Sequence, residues 1–583
     1  MKIIINIKIV LVVFFLIGFK NYVGAVDIPT VDDLNKQVPE LPKKKNTEAS
    51  ENLKNLNKKT KQENKDKIIK ILVRELKLEG NKRYDSKTLK NLIKENIDKE
   101  LDYDGLINMT SQISNFYRSN GYLATAYLPP QDIKNGIVKI KITEAVLGTI
   151  IFNLEEGQKL NISKEKVRLQ ILYQIEDGGG FNVTQLDKNI RNFNRTPGIN
   201  AIAQLEEGKR FGETNIIITA VNTKTISGSA LADNTGSRSS GTGKLTNTIN
   251  VDGILNLGER FTFTNVATGN NFVKGKQKEE SNYYAISSVF PMGFNGMLGT
   301  LRLSKMEYKL SAPFDSTQPS GYSTEYNITL NRPLIEKLNK NLNATFLLSR
   351  NDYVNDLGTG NNSNKDMTKA SLNMGFDFTD TNLGGGINYG LLGFTLGELD
   401  VTDNSSNYTT DQAGADSNGR NLKAVFNLNR LQKITDKTNI LLKFNGQLAA
   451  DNLDGSEQLS LGGANAVRAY ASSEAAGDAG FVTSVELKRN FFNFPTTIFY
   501  DYGQIRLHKN KWVGWNSTNT DLKNKYALKG WGLSMDIPVL NLFTVQLSHS
   551  RTIKGNSGSD TKGLDVDGLS WNGRTFVTLS KQY

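Results

Sequence analysis

The sequence predicts an all-β membrane barrel of about 16 antiparallel strands, preceded by two small α+β domains. Three observations lead to this fold class. The N-terminus carries an export signal, yet no stretch of the chain is long enough for a membrane-spanning helix. Two successive units repeat one strand–helix–helix–strand–strand plan, and from residue 224 onward short runs alternate apolar with polar residues. Because side chains alternate between the faces of a strand, such runs indicate strands between lipid and a water-filled lumen.

Residues 1–25 are typical of a signal peptide. Lys2 and Lys8 form a basic start, residues 9–18 are apolar, and the pair Gly24-Ala25 is small enough for signal peptidase cleavage. The apolar run is shorter than the roughly 20 residues that a spanning helix needs. We therefore expect an exported protein that is either soluble outside the inner membrane or a β-barrel in the outer membrane.

Residues 67–145 and 146–223 are predicted to be the two α+β domains. In each, a strand precedes two helices with apolar residues at helical spacing, and two strands follow. The first strand is predicted over residues 71–81, and Asn135-Gly136 is a strong turn signal between the last two strands of the first domain. The glycine run at residues 178–180 has neither a Walker lysine nor dinucleotide-binding spacing, so we expect no nucleotide partner.

Residues 224–583 are predicted to form the barrel. At roughly 10 residues per spanning strand, plus connections of similar length, this segment accommodates about 16 strands. One face of the runs is aliphatic or aromatic, whereas the other is mainly Asn, Ser, Lys and Asp; the clearest runs are residues 326–331, 370–378, 422–429 and 531–537. A face this polar favours a water-filled lumen over the apolar core of a soluble sandwich.

One stretch combines a loop arginine with a strand aspartate. Read as a strand, residues 498–505 place Phe499, Asp501 and Gly503 on one face. In a barrel Asp501 would point into the lumen, where it needs a cationic partner, and Arg468 in the loop just upstream offers one. We predict that this loop folds inward onto Asp501. The alternative is an ordinary hairpin with a surface arginine.

These residues resemble the signature of the two-partner secretion transporters, the exporters of haemolysins and filamentous haemagglutinin. That family has a Val-Arg-Gly-Tyr/Phe tip on an inward loop and a Phe-x-Asp-x-Gly strand whose aspartate meets the arginine. The matching positions here are Val467, Arg468 and Tyr470 in the loop, and Phe499, Asp501 and Gly503 in the strand. Ala469 stands where the family usually has glycine, and it would be strained if that position needs a positive φ.

The resemblance extends over most of the chain and implies a domain order. Residues 121–136, which contain the LPPQ run, resemble part of the family's first polypeptide-transport-associated (POTRA) domain. By resemblance, residues 67–145 are POTRA 1, residues 146–223 are POTRA 2, and residues 26–66 hold a plug helix, at 30–41, and a periplasmic linker. The polar, lysine-rich composition of residues 26–66 instead favours a disordered linker throughout, and this alternative stays open. The implied location is the bacterial outer membrane, with the barrel in lipid and the POTRA domains in the periplasm.

The resemblance also implies a function: capture of an unfolded exoprotein in the periplasm and its export through the barrel to the cell surface. The implied partner is haemolysin- or adhesin-like and β-helical. Two alternatives stay open. A factor that assembles other barrels belongs to the same superfamily but usually has more periplasmic modules, and a passive diffusion porin would need neither modules nor an inward loop.

Composition and motifs give little support to other function classes. The chain has no cysteine, which excludes disulfides and thiolate chemistry, and its net charge of +12 is spread among interleaved acidic residues. The two histidines, His508 and His549, lack catalytic or metal-ligand spacing. We therefore expect no catalytic residues, no cofactor, no metal and no nucleic-acid partner.

Overall fold

The computed structural model describes residues 70–153, 159–175, 181–269, 280–314, 316–358, 362–491, 494–540 and 542–583. The predicted signal peptide and the predicted plug helix and linker lie outside these residues. Within the described part of the chain, two α+β domains precede a closed barrel. No helix there has the length and apolar character needed to cross a membrane.

The first domain packs two helices on a small sheet. Its elements are β1 (Ile71–Val73), β2 (Glu75–Glu79), α1 (Ser86–Leu92), β3 (Lys99–Leu101), α2 (Tyr103–Ser119), β4 (Ala124–Tyr127) and β5 (Ile137–Glu144). Both helices begin at aspartates whose side chains accept a backbone N–H, because the first turn of a helix leaves its donors unpaired. The central strand β5 pairs in parallel with β2 and antiparallel with β4.

The prediction of a single strand over residues 71–81 is wrong, because the structure has two strands there. The chain breaks it at Arg74, and β1 pairs with the short strand β3 between the helices instead of joining the main sheet. The N–H groups of Arg74 and Glu75 both donate to the carbonyl of Gly136, at 2.8 and 3.2 Å. Asn135 and Gly136 have positive φ, as the turn signal requires, so this turn holds the break in place.

The second domain repeats the sheet order of the first. It comprises β6 (Val146–Asn153), α3 (Lys164–Ile171), α4 (Val183–Phe193), β7 (Ile199–Glu207) and β8 (Glu213–Asn222). The last strand is again central, parallel to the first strand and antiparallel to the preceding one. Apolar side chains from both helices and the sheet form one buried core. The sequence signal was the helical spacing of these apolar residues.

The barrel closes through sixteen antiparallel strands within the described residues, which confirms the predicted fold class. They are β9 (Ile226–Asp233), β10 (Lys244–Asp252), β11 (Arg260–Gly269), β12 (Glu280–Met292), β13 (Met297–Lys309), β14 (Ser320–Lys337), β15 (Lys340–Asp356), β16 (Asn362–Asp380), β17 (Gly386–Asp400), β18 (Gly419–Thr435), β19 (Thr438–Ala449), β22 (Ala479–Phe491), β23 (Phe494–Arg506), β24 (Lys525–Val539), β25 (Phe543–Thr552) and β26 (Gly573–Gln582). Between β19 and β22 lie the short strands β20 (Leu459–Leu461) and β21 (Ala475–Gly477), and a helix α5 (Ser405–Ala413) follows β17.

The faces of the strands alternate as the sequence predicts. Large apolar side chains such as Ile328, Leu372, Leu422 and Trp531 are exposed on the outside, where lipid would cover them. Their neighbours in sequence face inward and are polar, except for the glycines beside Trp531. The strands close into a ring because β26 returns to β9, pairing Thr578–Gln582 with Ser229–Asp233. This closure leaves no open edge strand in the barrel.

The second domain is docked on one end of the barrel, here called the near end. Ile162 forms a β-bridge with Leu257 in the turn after β10, and the N–H of Gly258 donates to the carbonyl of Asn161 at 3.1 Å. Arg195, after α4, donates from Nε to the carbonyl of Gly296 at 3.0 Å. The opposite, far end of the barrel carries the segment between β19 and β22.

Candidate functional site: the inward loop and its lumenal partners

The segment between β19 and β22, residues 450–478, folds into the barrel and is here called the inward loop. Its strands β20 and β21 pair antiparallel, so the loop is a hairpin with its tip at residues 462–474. Leu461, Val467, Ala469 and Tyr470 are at most 3% exposed. They pack with Val482, Ile505 and Leu528 of the barrel wall. The loop is therefore an ordered part of the lumen.

Arg468 meets Asp501 in a bidentate ion pair. Nη2 lies 2.7 Å from Oδ1 and Nε lies 2.9 Å from Oδ2, and the backbone N–H of Arg468 also donates to Oδ2 at 3.1 Å. Asp501 is completely buried. Planar guanidinium and carboxylate groups paired in this way fix orientation as well as distance. The structure thus brings together the two charges that the sequence predicted to meet.

Two further side chains, Ser484 and Glu486 of β22, complete the polar site, and sequence analysis did not single them out. Ser484 Oγ donates to Asp501 Oδ1 at 2.7 Å and accepts from Arg468 Nη2 at 2.8 Å. Glu486 lies 3.0 Å from Arg468 Nη1 and 2.8 Å from Lys443 Nζ. The available signal was the alternation in β22, which puts both residues on the lumenal face beside Asp501.

Phe499 lies on the same face of β23 and supports the arginine. The guanidinium carbon of Arg468 is 3.4 Å from the centre of the Phe499 ring. An arginine stacked on an aromatic face gains cation–π energy in addition to its ion pair. A Cβ at Gly532 of the next strand would come within 2.5 Å of this ring. The glycine therefore makes room for the ring that carries Arg468.

Val467 and Gly503 meet as a packing pair. A Cβ on Gly503 would lie 2.8 Å from Cγ2 of Val467, closer than ordinary contacts permit. The glycine of the strand motif is needed because the loop tip rests directly on the backbone of β23. Both residues belong to the motif that the sequence shares with the family, and the structure supplies this steric reason.

Ala469 and Tyr470 connect the tip to strands farther along the wall. Ala469 is not among the described non-glycine residues with positive φ, so alanine is unstrained here. Its methyl group faces Gly530, where a Cβ would come within 2.6 Å. The hydroxyl of Tyr470 donates to the carbonyl of Gly555 at 2.7 Å. Tyr470 thus points away from the Arg468–Asp501 pair and ties the tip to the loop after β25.

The tip residues next to β21 bind both sides of the barrel closure. Ser472 Oγ donates to the carbonyl of Thr235, after β9, at 3.1 Å. Glu474 accepts hydrogen bonds from Asn556 and from the N–H of Val566, both in the loop after β25. Burial, together with the neighbouring carboxylates of Asp565 and Asp567, raises the pKa of Glu474 to about 8.

A cavity of about 250 Å³ lies beside the tip. Its walls are mainly amide and hydroxyl groups, with two cations, and include Asn427, Asn429, Asn445, Lys443, Ser484 and Arg468. Both cations are paired with carboxylates, so the cavity presents hydrogen-bonding groups more than net charge. The chemistry of the whole site is suited to holding a loop in one position inside a polar lumen.

Comparisons with known proteins point to one family. The family profile for the haemolysin secretion/activation protein ShlB/FhaC/HecB matches residues 212–518, and the profile for the ShlB-type POTRA domain matches residues 71–145. The heme/hemopexin transporter protein HuxB of Haemophilus influenzae (strain 86-028NP) is 26% identical over 476 residues, covering 80% of this chain and 81% of HuxB. The outer membrane transporter CdiB of Dickeya dadantii (strain 3937) is 22% identical over 403 residues, covering 66% of each protein.

Solved structures share the fold. CdiB from Escherichia coli aligns with a TM-score of 0.68 and 18% identity, over 90% of this chain and 93% of that structure. CdiB from Acinetobacter baumannii aligns with a TM-score of 0.62 and 16% identity, over 95% and 96%. BamA from Haemophilus ducreyi lacking POTRA domains 1–3 aligns with a TM-score of 0.51 and 14% identity, over 88% and 100%. At these identities the likeness is one of fold alone.

Proposed function

Because the chain belongs to the haemolysin secretion/activation family, whose profile covers more than half of it, we propose that it captures an unfolded exoprotein in the periplasm and exports it through its barrel. The family consists of two-partner secretion transporters. The barrel lies in the outer membrane and the POTRA domains lie in the periplasm, which makes the near end periplasmic and the far end extracellular.

One observation supports this export function most directly: an ordered loop occupies the lumen of a wide barrel and is held there by an ion pair. A sixteen-stranded barrel encloses a channel wide enough for solutes. A passive pore must keep its lumen open to solutes, whereas an exporter needs a closed resting state. Arg468 and Asp501 hold that state, and the loop yields when the exoprotein enters.

The two periplasmic domains support the capture step. Each contains a three-stranded sheet with an outer strand, β2 or β6, whose free edge pairs with no further strand within the described residues. The opposite edges, of β4 and β7, are partly occupied by the side chains of Ser114 and Asn194. An extended polypeptide can add a strand to a free edge, so affinity comes from backbone hydrogen bonds and tolerates many sequences. Because the second domain is docked on the barrel rim, a chain captured there is delivered to the lumen.

The exoprotein that we propose is haemolysin- or adhesin-like and β-helical. Folding of such a chain outside the cell would supply the driving force, so export needs neither a nucleotide nor a cofactor. We also propose that the transporter itself has no enzymatic activity. One relative is named for heme/hemopexin transport, and an exoprotein of that kind is the alternative substrate class.

The test compares cells with and without this protein. Surface exposure of a candidate exoprotein is followed by protease shaving and whole-cell immunoblots while porin levels are monitored. We expect the exoprotein alone to disappear from the surface. A joint fall of many barrel proteins would instead identify an assembly factor and overturn the proposal.

The same assay tests the site through Arg468→Ala. Removing one partner of a buried ion pair leaves Asp501 unpaired, at a cost of about 3–5 kcal/mol to the loop position. We expect Arg468→Ala to reduce secretion while the barrel still assembles at normal levels. Normal secretion by a stably assembled Arg468→Ala protein would remove the inward loop from the mechanism.

A further inference from the structure

The inward loop is held at a second place that neither the family motif nor the sequence analysis includes. A short 3-10 turn, Gly455–Glu457, lies between β19 and β20 on the limb that enters the barrel. Glu457 lies 2.8 Å from Lys369 Nζ through Oε1 and 2.6 Å from Lys423 Nζ through Oε2. It is only 4% exposed. A carboxylate this buried needs such partners, because an unpaired charge away from water is costly.

The backbone around Glu457 is bound to the same part of the wall. The carbonyl of Glu457 accepts from Lys423 Nζ and from Gln447 Nε2, both at 2.9 Å. Asp454 accepts the N–H of Ser456 at 2.9 Å, which starts the turn, and lies 2.8 Å from Lys365 Nζ. Three strands, β16, β18 and β19, therefore hold one turn of the loop.

We propose that Asp454 and Glu457, with Lys365, Lys369 and Lys423, form a second lock that keeps the inward loop in the lumen independently of Arg468 and Asp501. The two ion-pair groups share no residue in their salt bridges, because Arg468 pairs with β22 and β23 whereas the lysines of the second lock lie on β16 and β18. These five are positioning residues. Their role in export rests on the proposed function, but their role in holding the loop does not.

The second lock stays charged at neutral pH. Burial acts to raise the pKa of Glu457, but Lys369 and Lys423 outweigh it and lower the pKa to about 2. Asp454 behaves in the same way beside Lys365, with a pKa of about 2. The three lysines exceed the two carboxylates by one positive charge. A loop that leaves the lumen therefore exposes cations on the wall.

The experiment measures single channels of the purified full-length protein in planar lipid bilayers, which needs no exoprotein. The variants are Glu457→Gln, Arg468→Ala and the two combined. Asp436→Asn is the matched control, because its ion pair with Lys433 is exposed at a near-end turn, with Asp436 92% exposed. A heat-shift gel checks that each barrel is folded. The ratio of open to closed time reports how firmly the loop is held.

We expect Glu457→Gln to raise the open-to-closed ratio about tenfold and Arg468→Ala to raise it at least about 100-fold. The double variant should raise it by the product of the two factors, because independent effects multiply. Open channels of Glu457→Gln and of the parent should have the same reversal potential, because in both the loop carries residue 457 away from Lys369 and Lys423. A Glu457→Gln ratio equal to that of Asp436→Asn would overturn the second lock. So would a double variant that opens no more often than Arg468→Ala.

A second variant protects the test against a misfolded loop. Lys369→Gln with Lys423→Gln breaks the lock from the wall and leaves the loop sequence unchanged. We expect the same rise in open time as for Glu457→Gln. The bilayer experiment contains no exoprotein. A negative result would therefore overturn the second lock without bearing on whether the protein exports an exoprotein.

Discussion

At the scale of residues, glycines on β23 and β24 determine where the loop tip lies. Gly503, Gly530 and Gly532 face Val467, Ala469 and Phe499 respectively, and an added Cβ at any of the three would come within 2.8 Å of its partner. At Gly503 and Gly530 the tip therefore packs directly against the backbone of the wall. This close approach sets the depth at which Arg468 reaches Asp501.

Gly503→Ala tests this close approach. The added methyl group should displace the tip and destabilise its lumenal position by about 1–3 kcal/mol, as overpacking does. To follow the position of the tip, Ala464 is replaced by cysteine, which is then the only thiol in this cysteine-free chain. We expect this cysteine to react faster with an externally added thiol label in Gly503→Ala than in the parent.

Two further proteins control the Gly503→Ala experiment. Val467→Ala in the same chain removes the clashing methyl group and should restore protection. Gly375→Ala should have no effect, because a Cβ there meets only one atom, at 3.9 Å. Equal labelling of Gly503→Ala and the parent would contradict the steric account.

At the scale of elements, the inward loop is attached to the barrel at several places along its length. Its entering limb binds the lysines of β16 and β18, its tip binds β22 and β23, and the residues before β21 bind the loops after β9 and β25. The last attachment has a different electrostatic character. Its carboxylate, Glu474, lies near two other carboxylates and has a raised pKa of about 8.

This raised pKa predicts that alkaline pH loosens the last attachment. Because the folded pKa lies above the usual value of 4.5, the contribution of Glu474 is complete at acidic pH and is lost as pH rises through about 8. A nitroxide on a cysteine replacing Ser473 should become more mobile between about pH 5 and pH 8, the interval between the usual and the raised pKa of Glu474.

Glu474→Gln should remove this pH dependence, since the amide cannot ionise. Glu307→Gln should keep the pH dependence, because the Glu307 side chain is 54% exposed in its ion pair with Lys305. Mobility that still rises with pH in Glu474→Gln would assign the effect to another group.

At the scale of the whole molecule, the second domain and the barrel are joined through Arg195, whose side chain is 15% exposed. Arg195 binds the carbonyl of Gly296, lies 3.1 Å from Asn343 Oδ1 through Nη1, and is 3.5 Å from Glu336. The arginine thus contacts a turn and two strands at once. This joint sets the direction in which the second domain faces the near-end opening.

Arg195→Ala should release the joint, because it leaves Glu336 unpaired in a site where that side chain is 6% exposed. Loss of one partner of a buried pair costs about 3–5 kcal/mol. Spin labels on α3 and on the turn before β13 should show a broader distance distribution by pulsed EPR. Arg210→Ala, at a residue that is 88% exposed, should leave the distribution narrow. An unchanged distribution for Arg195→Ala would show that other contacts hold the domain.

The sequence by itself determined the barrel, its strand number and the direction of Asp501. All three predictions follow from the pattern of alternating residues, since successive side chains of a strand point to opposite faces. The pairing of Arg468 with Asp501 followed from the need of a lumenal carboxylate for a cation. The break at Arg74 was missed, because it depends on a distant turn at Gly136.

Only the tertiary structure decided the other partners. Ser484 and Glu486 join Arg468 because of the register between β22 and β23, and Glu457 finds Lys369 and Lys423 because of the path of the loop. Register and loop path depend on contacts between residues far apart in the chain. The alternation of side chains along a strand predicts which lysines face the lumen, but it does not predict which carboxylate contacts them.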